Sequence, residues 1–158
     1  MPEGVHSLAG TQFDLRARLD LRGAIFEETG SMLPRAARGI RVGRGFRRLQ
    51  ALHAASWWDT DGAVIGAYVL KYADGAIAEL PIVYGRHLRG WVGNVHEPMQ
   101  ATEAVLAWTG SHSSFASPVR LFKAAYENPR PDLPVESIDV VSNMAWAAPM
   151  VVALTVDP

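Results

Sequence analysis

The chain contains no cysteine, which removes disulfide frameworks, thiolate metal sites and cysteine nucleophiles together. It also lacks any uninterrupted apolar stretch approaching the roughly 18 residues of a membrane-spanning helix. Its opening, MPEGVHSLAG, has no basic start followed by an apolar run of the secretory kind. The expectation is a soluble protein with no membrane partner, cytoplasmic as written, or secreted if the chain is excised from a longer one. Lysine is scarce: 13 of the 15 basic residues are Arg, a bias that a GC-rich bacterial coding background accounts for. Net charge is only −1, so the whole molecule exerts no strong field toward nucleic acid or membrane.

What is present is the material of a packed core. Of the 158 residues, 49% are hydrophobic and 20% charged, ordinary values for a globular chain. At this length folding removes roughly 70% of the surface the unfolded chain exposes, so a single domain over 1–158 needs no staple.

Short β-branched and aromatic runs bounded by Gly, Pro, Asp or Asn dominate. The clearest pair is Val64 to Tyr72 and Ala76 to Tyr84, joined through Ala73-Asp74-Gly75, where Asp-Gly supplies the positive φ of a tight turn. Pro81 has no N–H to donate, which predicts that its arm is an edge strand or carries a bulge. Further runs are Gln12 to Arg16, Leu19 to Phe26, Phe46 to Ala54, Ala104 to Trp108, Val119 to Tyr126, Val135 to Val141 and Met150 to Val156. About nine strands with no long amphipathic helix predict an all-β, antiparallel sandwich or jelly roll. Glu97 to Ala107 reads either as a short helix or as a loop feeding a strand, and Thr29 to Gly45 reads as loop.

Two blocks, Ile40 to Val92 and Leu106 to Val156, resemble a bacterial family of uncharacterised β-sandwich domains similar to galactose-binding, jelly-roll carbohydrate-binding modules. In the first block the resemblance is carried by Val42-Gly43-Arg44, Leu52-His53-Ala54, Tyr72-Ala73-Asp74-Gly75, Leu80-Pro81-Ile82, Tyr84-Gly85 and Trp91. In the second it is carried by Ala107-Trp108-Thr109-Gly110, Arg120-Leu121, Glu127-Asn128-Pro129, Pro131, Ser137-Ile138-Asp139 and Ala148-Pro149. The family pattern has an acidic residue after Tyr-Gly and a second Trp after the first, where this chain has Arg86 and Val92. The resemblance implies a non-catalytic module that binds carbohydrate through end loops.

Aromatic rings stack on sugar faces, and Trp57, Trp58 and Trp91 lie in turn-rich segments, while Trp108 reads as core. Adjacent residues on an extended chain point to opposite faces, so Trp57 and Trp58 cannot both be core unless the chain bends between them. With Tyr84 and Arg86 from the neighbouring loop, these tryptophans form the expected carbohydrate site.

Other constellations read as structure. Asp59-Thr60-Asp61-Gly62 opens like a calcium loop but lacks the later oxygen ligands, and reads as a turn. The five histidines are scattered without zinc spacing, and His53, inside an apolar run, reads as a hydrogen-bonded interior residue. Gly43-Arg44-Gly45 lacks the third glycine of a dinucleotide fingerprint. A triad drawn from Ser113, His112 and Asp139 has no geometry to support it. Asp139 reads instead as the strand-to-strand partner of Arg120, because an inward charge needs an opposite one. Neither a metal, a cofactor nor an enzyme activity is expected.

From Pro34 to Leu49 the chain has six arginines and no acidic residue. Some should pair with Glu27 and Glu28; Arg41, Arg44 and Arg47 form an anion-site candidate for an acidic glycan, a phosphate or an acidic protein surface. Only Phe46 interleaves with them, which ranks nucleic acid lower. The alternative to a carbohydrate module is therefore a protein-interaction or self-assembly module, with a homo-oligomer as one form of it.

Overall fold

A computed structural model describes residues 1–158. In chain order its strands are β1 (Gly4–Leu8), β2 (Thr11–Leu15), β3 (Leu19–Asp20), β4 (Ala36–Arg44), β5 (Arg48–Ser56), β6 (Val64–Tyr72), β7 (Ile77–Val83), β8 (Ala104–Gly110), β9 (Val119–Glu127), β10 (Val135–Ser142) and β11 (Ala148–Asp157). All named pairings are antiparallel. They build a four-stranded sheet ordered β4-β10-β6-β7, a five-stranded sheet ordered β3-β11-β5-β9-β8, and a separate hairpin β1-β2. The fold is thus the all-β sandwich that the strand signals predict.

Residue alternation explains the layers. Along β5, Leu49, Ala51 and Ala55 join the cluster between the two sheets, whereas Leu52 and Ala54 join a second cluster on the opposite face. That outer face also carries Leu121, Met150 and Val152, and it is covered by Phe13 and Leu15 of the hairpin. With apolar neighbours on both sides, β5 is buried from Leu49 through Ala55, the polar Gln50 and His53 included. Lys123 Nζ donates to the carbonyl of Ala9 at 2.6 Å, and Thr155 Oγ1 to that of Gln12 at 2.8 Å, fixing the hairpin over β9 and β11.

The β6-β7 hairpin turns where Asp-Gly stands, with Gly75 at φ 84°. Strand β7 is an edge, as Pro81 requires. The segment expected to extend from Leu19 to Phe26 pairs only at Leu19 and Asp20, then closes in a 3-10 turn at Ala24–Phe26. Glu97 to Ala107 forms no helix; it is a loop that feeds β8.

Strand β4 replaces an expected loop. Between Ala37 and Ile40, and again between Arg41 and Arg44, two residues of β4 stand opposite one of β10. These are bulges, with Gly39 at φ 75° and Gly43 at φ 71°. The three-residue arginine spacing runs through a bulged strand and its flanks, not along a helix.

Candidate functional site

Strands β5 and β9 pair from Arg48–Glu127 as far as His53–Phe122 and then separate. The gap is filled by the segment from Arg89 to Gly93. Ala55 N–H donates to Arg89 O at 2.9 Å and Trp91 N–H to Ala55 O at 2.8 Å on one side. Arg120 N–H donates to Trp91 O at 2.9 Å and Gly93 N–H to Pro118 O at 2.8 Å on the other. Trp91, expected in a loop, is therefore held by main-chain bonds on both flanks. Its ring lies parallel to Trp108, with centroids 5.9 Å apart and planes at 11°. Trp108 itself is only partly buried against the outer cluster, not a core residue as the sequence suggests, because its ring packs on Trp91 at the end of the sheet.

This segment floors a cleft of about 830 Å³ at one end of the sandwich. The walls come from Trp57 and Trp58 after β5, from the stretch following Gly93, and from His112 and Phe115 in the β8-β9 loop. Trp57 and Trp58 are each 52% exposed. Both line the same cleft because Trp57 adopts φ 78°, a left-handed conformation unusual for a bulky side chain, which bends the chain between them. A second chamber of about 430 Å³ adjoins the first and shares Trp58, Asn94, His96 and Glu97 with it.

Beneath the floor lies a charged network that sequence reading does not assemble. Arg120, fully buried, donates through Nε to Gly90 O at 2.9 Å and through Nη1 to Pro98 O at 3.1 Å, and its Nη2 pairs with Glu97. Tyr84 donates its hydroxyl to Glu97 Oε2 at 2.7 Å and accepts from Gly90 N–H at 3.1 Å. Arg89, 3% exposed, forks onto both oxygens of Asp61 at 2.7 and 2.9 Å. The fork holds the Asp61 carboxyl below its usual range, and burial followed by Glu97 pushes the Tyr84 phenol up. The β5-β6 loop, the floor, the loop before β8 and β9 are thereby tied to one another. Bidentate and buried charge pairs of this kind fix geometry as well as energy.

Two residues expected at the ligand surface stand elsewhere. Tyr84 is fully buried, its hydroxyl engaged by Glu97 and Gly90, and so supports the floor from below. Arg86 lines neither chamber; its guanidinium pairs with Glu103 at 2.7 Å. Asp139 does not meet Arg120. It accepts from Lys71 at 2.7 Å, Arg38 at 3.1 Å and Gly39 N–H at 2.8 Å, on the four-stranded sheet, whereas Arg120 belongs to the five-stranded one. In Asp59-Thr60-Asp61-Gly62, Asp59 accepts from the amides of Thr60 and Ala147, and Asp61 from Arg89. Of the arginine run, Arg35 pairs with Glu27, Arg38 with Asp139 and Arg48 with Asp157. Arg41, Arg44 and Arg47 are exposed and hold no carboxylate. Arg44 and Arg47 flank the β4-β5 turn, at the opposite end of β5 from Trp57.

No helix is long and apolar enough to cross a membrane. Compared with protein-family models and with curated proteins, the chain matches none.

Proposed function

We propose that this chain is a non-catalytic module that binds carbohydrate in the cleft floored by Trp91 and walled by Trp57 and Trp58. One observation carries the reading: two adjacent indoles, each half-exposed, project into one cleft from a residue in a strained backbone conformation. Strain of that kind persists where the surroundings enforce it and clusters at ligand sites. Indole faces suit the apolar faces of sugar rings, and a rigid floor keeps the ordering cost of binding low. The test is a broad glycan panel followed by titration of Trp58→Ala and Trp91→Ala, with folding checked by circular dichroism. Parent binding weakened at least tenfold in a folded variant, about 1.4 kcal/mol, supports the reading. No binding of the folded parent to any glycan overturns it.

A second reading, an interaction module for an acidic partner surface, is favoured by Arg41, Arg44 and Arg47. Their neighbours Arg35, Arg38 and Arg48 all hold carboxylates, while these three hold none. Guanidinium forks left free in this way match carboxylate and sulfate geometry.

A further inference from the structure

Resting on the carbohydrate reading, we infer that the ligand is an uncharged oligosaccharide of at least two sugar units, seated in two subsites with Trp58 between them.

The division comes from the shape of the site. The chambers of about 830 and 430 Å³ each fall in the size range of a small-molecule pocket. They differ in character. The larger is bordered by Trp57, Trp91 and Phe115; the smaller reaches Asp59, Asp61, Arg89 and Pro98 and has no Phe, Tyr or Trp except Trp58. Trp58 belongs to both walls and is half-exposed, so a ligand confined to one chamber leaves part of its indole in water. A chain of linked rings passing from one chamber to the next covers it.

The charge of the ligand follows from the pairing of the lining groups. Asp20 is held by Arg18 at 2.8 Å, Asp61 by the Arg89 fork, and Glu97 by Arg120 and Tyr84. Asp59 accepts from two main-chain amides. The cationic groups of the lining, Arg18 and Arg89, are the partners already named. Counting Arg120 beneath the floor, three guanidiniums (Arg18, Arg89, Arg120) stand against four carboxylates (Asp20, Asp59, Asp61, Glu97), so the lining has no surplus positive charge for a carboxylate or sulfate. Uncharged donors are also present: Asn94 accepts from His96 N–H through its side-chain oxygen and keeps its amide N–H groups free, while the indole nitrogens of Trp57 and Trp58 make no hydrogen bond. Such donors match hydroxyl oxygens.

The test uses the full chain and tryptophan fluorescence. The probes are glucose and galactose oligomers of one to four units and galacturonate oligomers of the same lengths. Affinity for a neutral series is expected to rise at least tenfold from one unit to three and then level off, with the uronate series at least tenfold weaker. Pro98→Phe, which narrows the smaller chamber, is expected to bring the longer oligomers down to the monosaccharide's affinity. Trp58→Ala is expected to flatten the length dependence as well. A monosaccharide that binds as tightly as the longest oligomer overturns the two-subsite assignment, while the carbohydrate reading stands. Uronates that bind as well as neutral oligomers overturn the uncharged assignment alone. Failure of every probe in these series to bind the folded parent overturns the inference, and the broad glycan panel then decides separately whether the carbohydrate reading survives.

Discussion

Tyr68 donates its hydroxyl proton to Nδ1 of His53 across the gap between the two sheets, at 2.8 Å. The far side of the ring fixes that direction. Nε2 lies 3.0 Å from the carbonyl oxygen of His87, which can only accept, so Nε2 carries the proton and Nδ1 takes the one from Tyr68. Full burial disfavours a second ring proton and pushes the His53 pKa down to about 3.

A lowered histidine pKa makes stability depend on pH in one direction. Above the ordinary value of 6.5 both states are neutral at His53, and its contribution is fully present. As pH falls from 6.5 toward 3 the unfolded chain takes up a proton that the folded chain refuses, and stability is lost at about 1.4 kcal/mol per pH unit from this group. Urea unfolding at several pH values is expected to show that slope, and the His53 ring resonances are expected to stay neutral down to pH 4. A His53 ring that titrates near 6.5 in the folded protein contradicts the geometry.

The left-handed backbone at Trp57 separates two effects of one residue. Trp57→Ala removes the ring and keeps the strain, whereas Trp57→Gly removes both. The glycine variant is expected to be more stable than the alanine variant by about 1 kcal/mol, although glycine is usually the less favourable of the two. Both are expected to lose sugar binding. Equal melting temperatures would mean that Trp57 is not strained.

Glu97 and Arg120 are expected to behave as one unit. Glu97→Ala leaves a fully buried guanidinium without its carboxylate, a loss of about 3 to 5 kcal/mol. Combined with Arg120→Met, the second change is expected to cost much less than it does alone, and a double-mutant cycle measures the difference. Additive losses would show that the pair contributes no coupling.

The arginines without partners are expected to be dispensable for folding. Replacing Arg41, Arg44 and Arg47 together by Gln changes three exposed side chains, each worth within about 0.5 kcal/mol. The melting temperature is expected to hold, while retention on a polyanion column at low salt is lost. Asp139→Asn is the contrast, since that carboxylate is 1% exposed beneath Lys71 and Arg38. Unchanged column retention of the triple variant would place the anion contact elsewhere.

Most strands were legible because their signals are local: alternation, β-branching and the Asp-Gly turn need no knowledge of neighbours. Strand β4 was not, because bulges call for glycine at positive φ, and Gly39 and Gly43 among arginines have the composition of a loop. Strand β1 is too short and too polar to stand out before its hairpin partner is known. At the site, the tryptophans could be found from rings placed among turn formers. Tyr84 and Arg86 shared that context, but the direction of each side chain depends on how the loop is anchored. The network beneath the floor offered one clue, an arginine inside the apolar run of β9. Its partner, Glu97, cannot be named without knowing which loop closes over that end of the sheet, so the sequence points to Asp139 instead.

The segment from Arg89 to Gly93 has a consequence for the timing of recognition. The amides of Trp91 and Gly93 donate to the carbonyls of Ala55 and Pro118, so they open to solvent only when the flanking chain parts, and deuterium should reach these two as slowly as it reaches the core. The rims carrying Trp57 and Phe115 have few main-chain bonds, and their amides are expected to exchange far sooner. On the proposed carbohydrate reading, a sugar entering the cleft would meet a stationary floor and a looser border: the floor would decide which ligand fits, and the border how quickly it comes and goes.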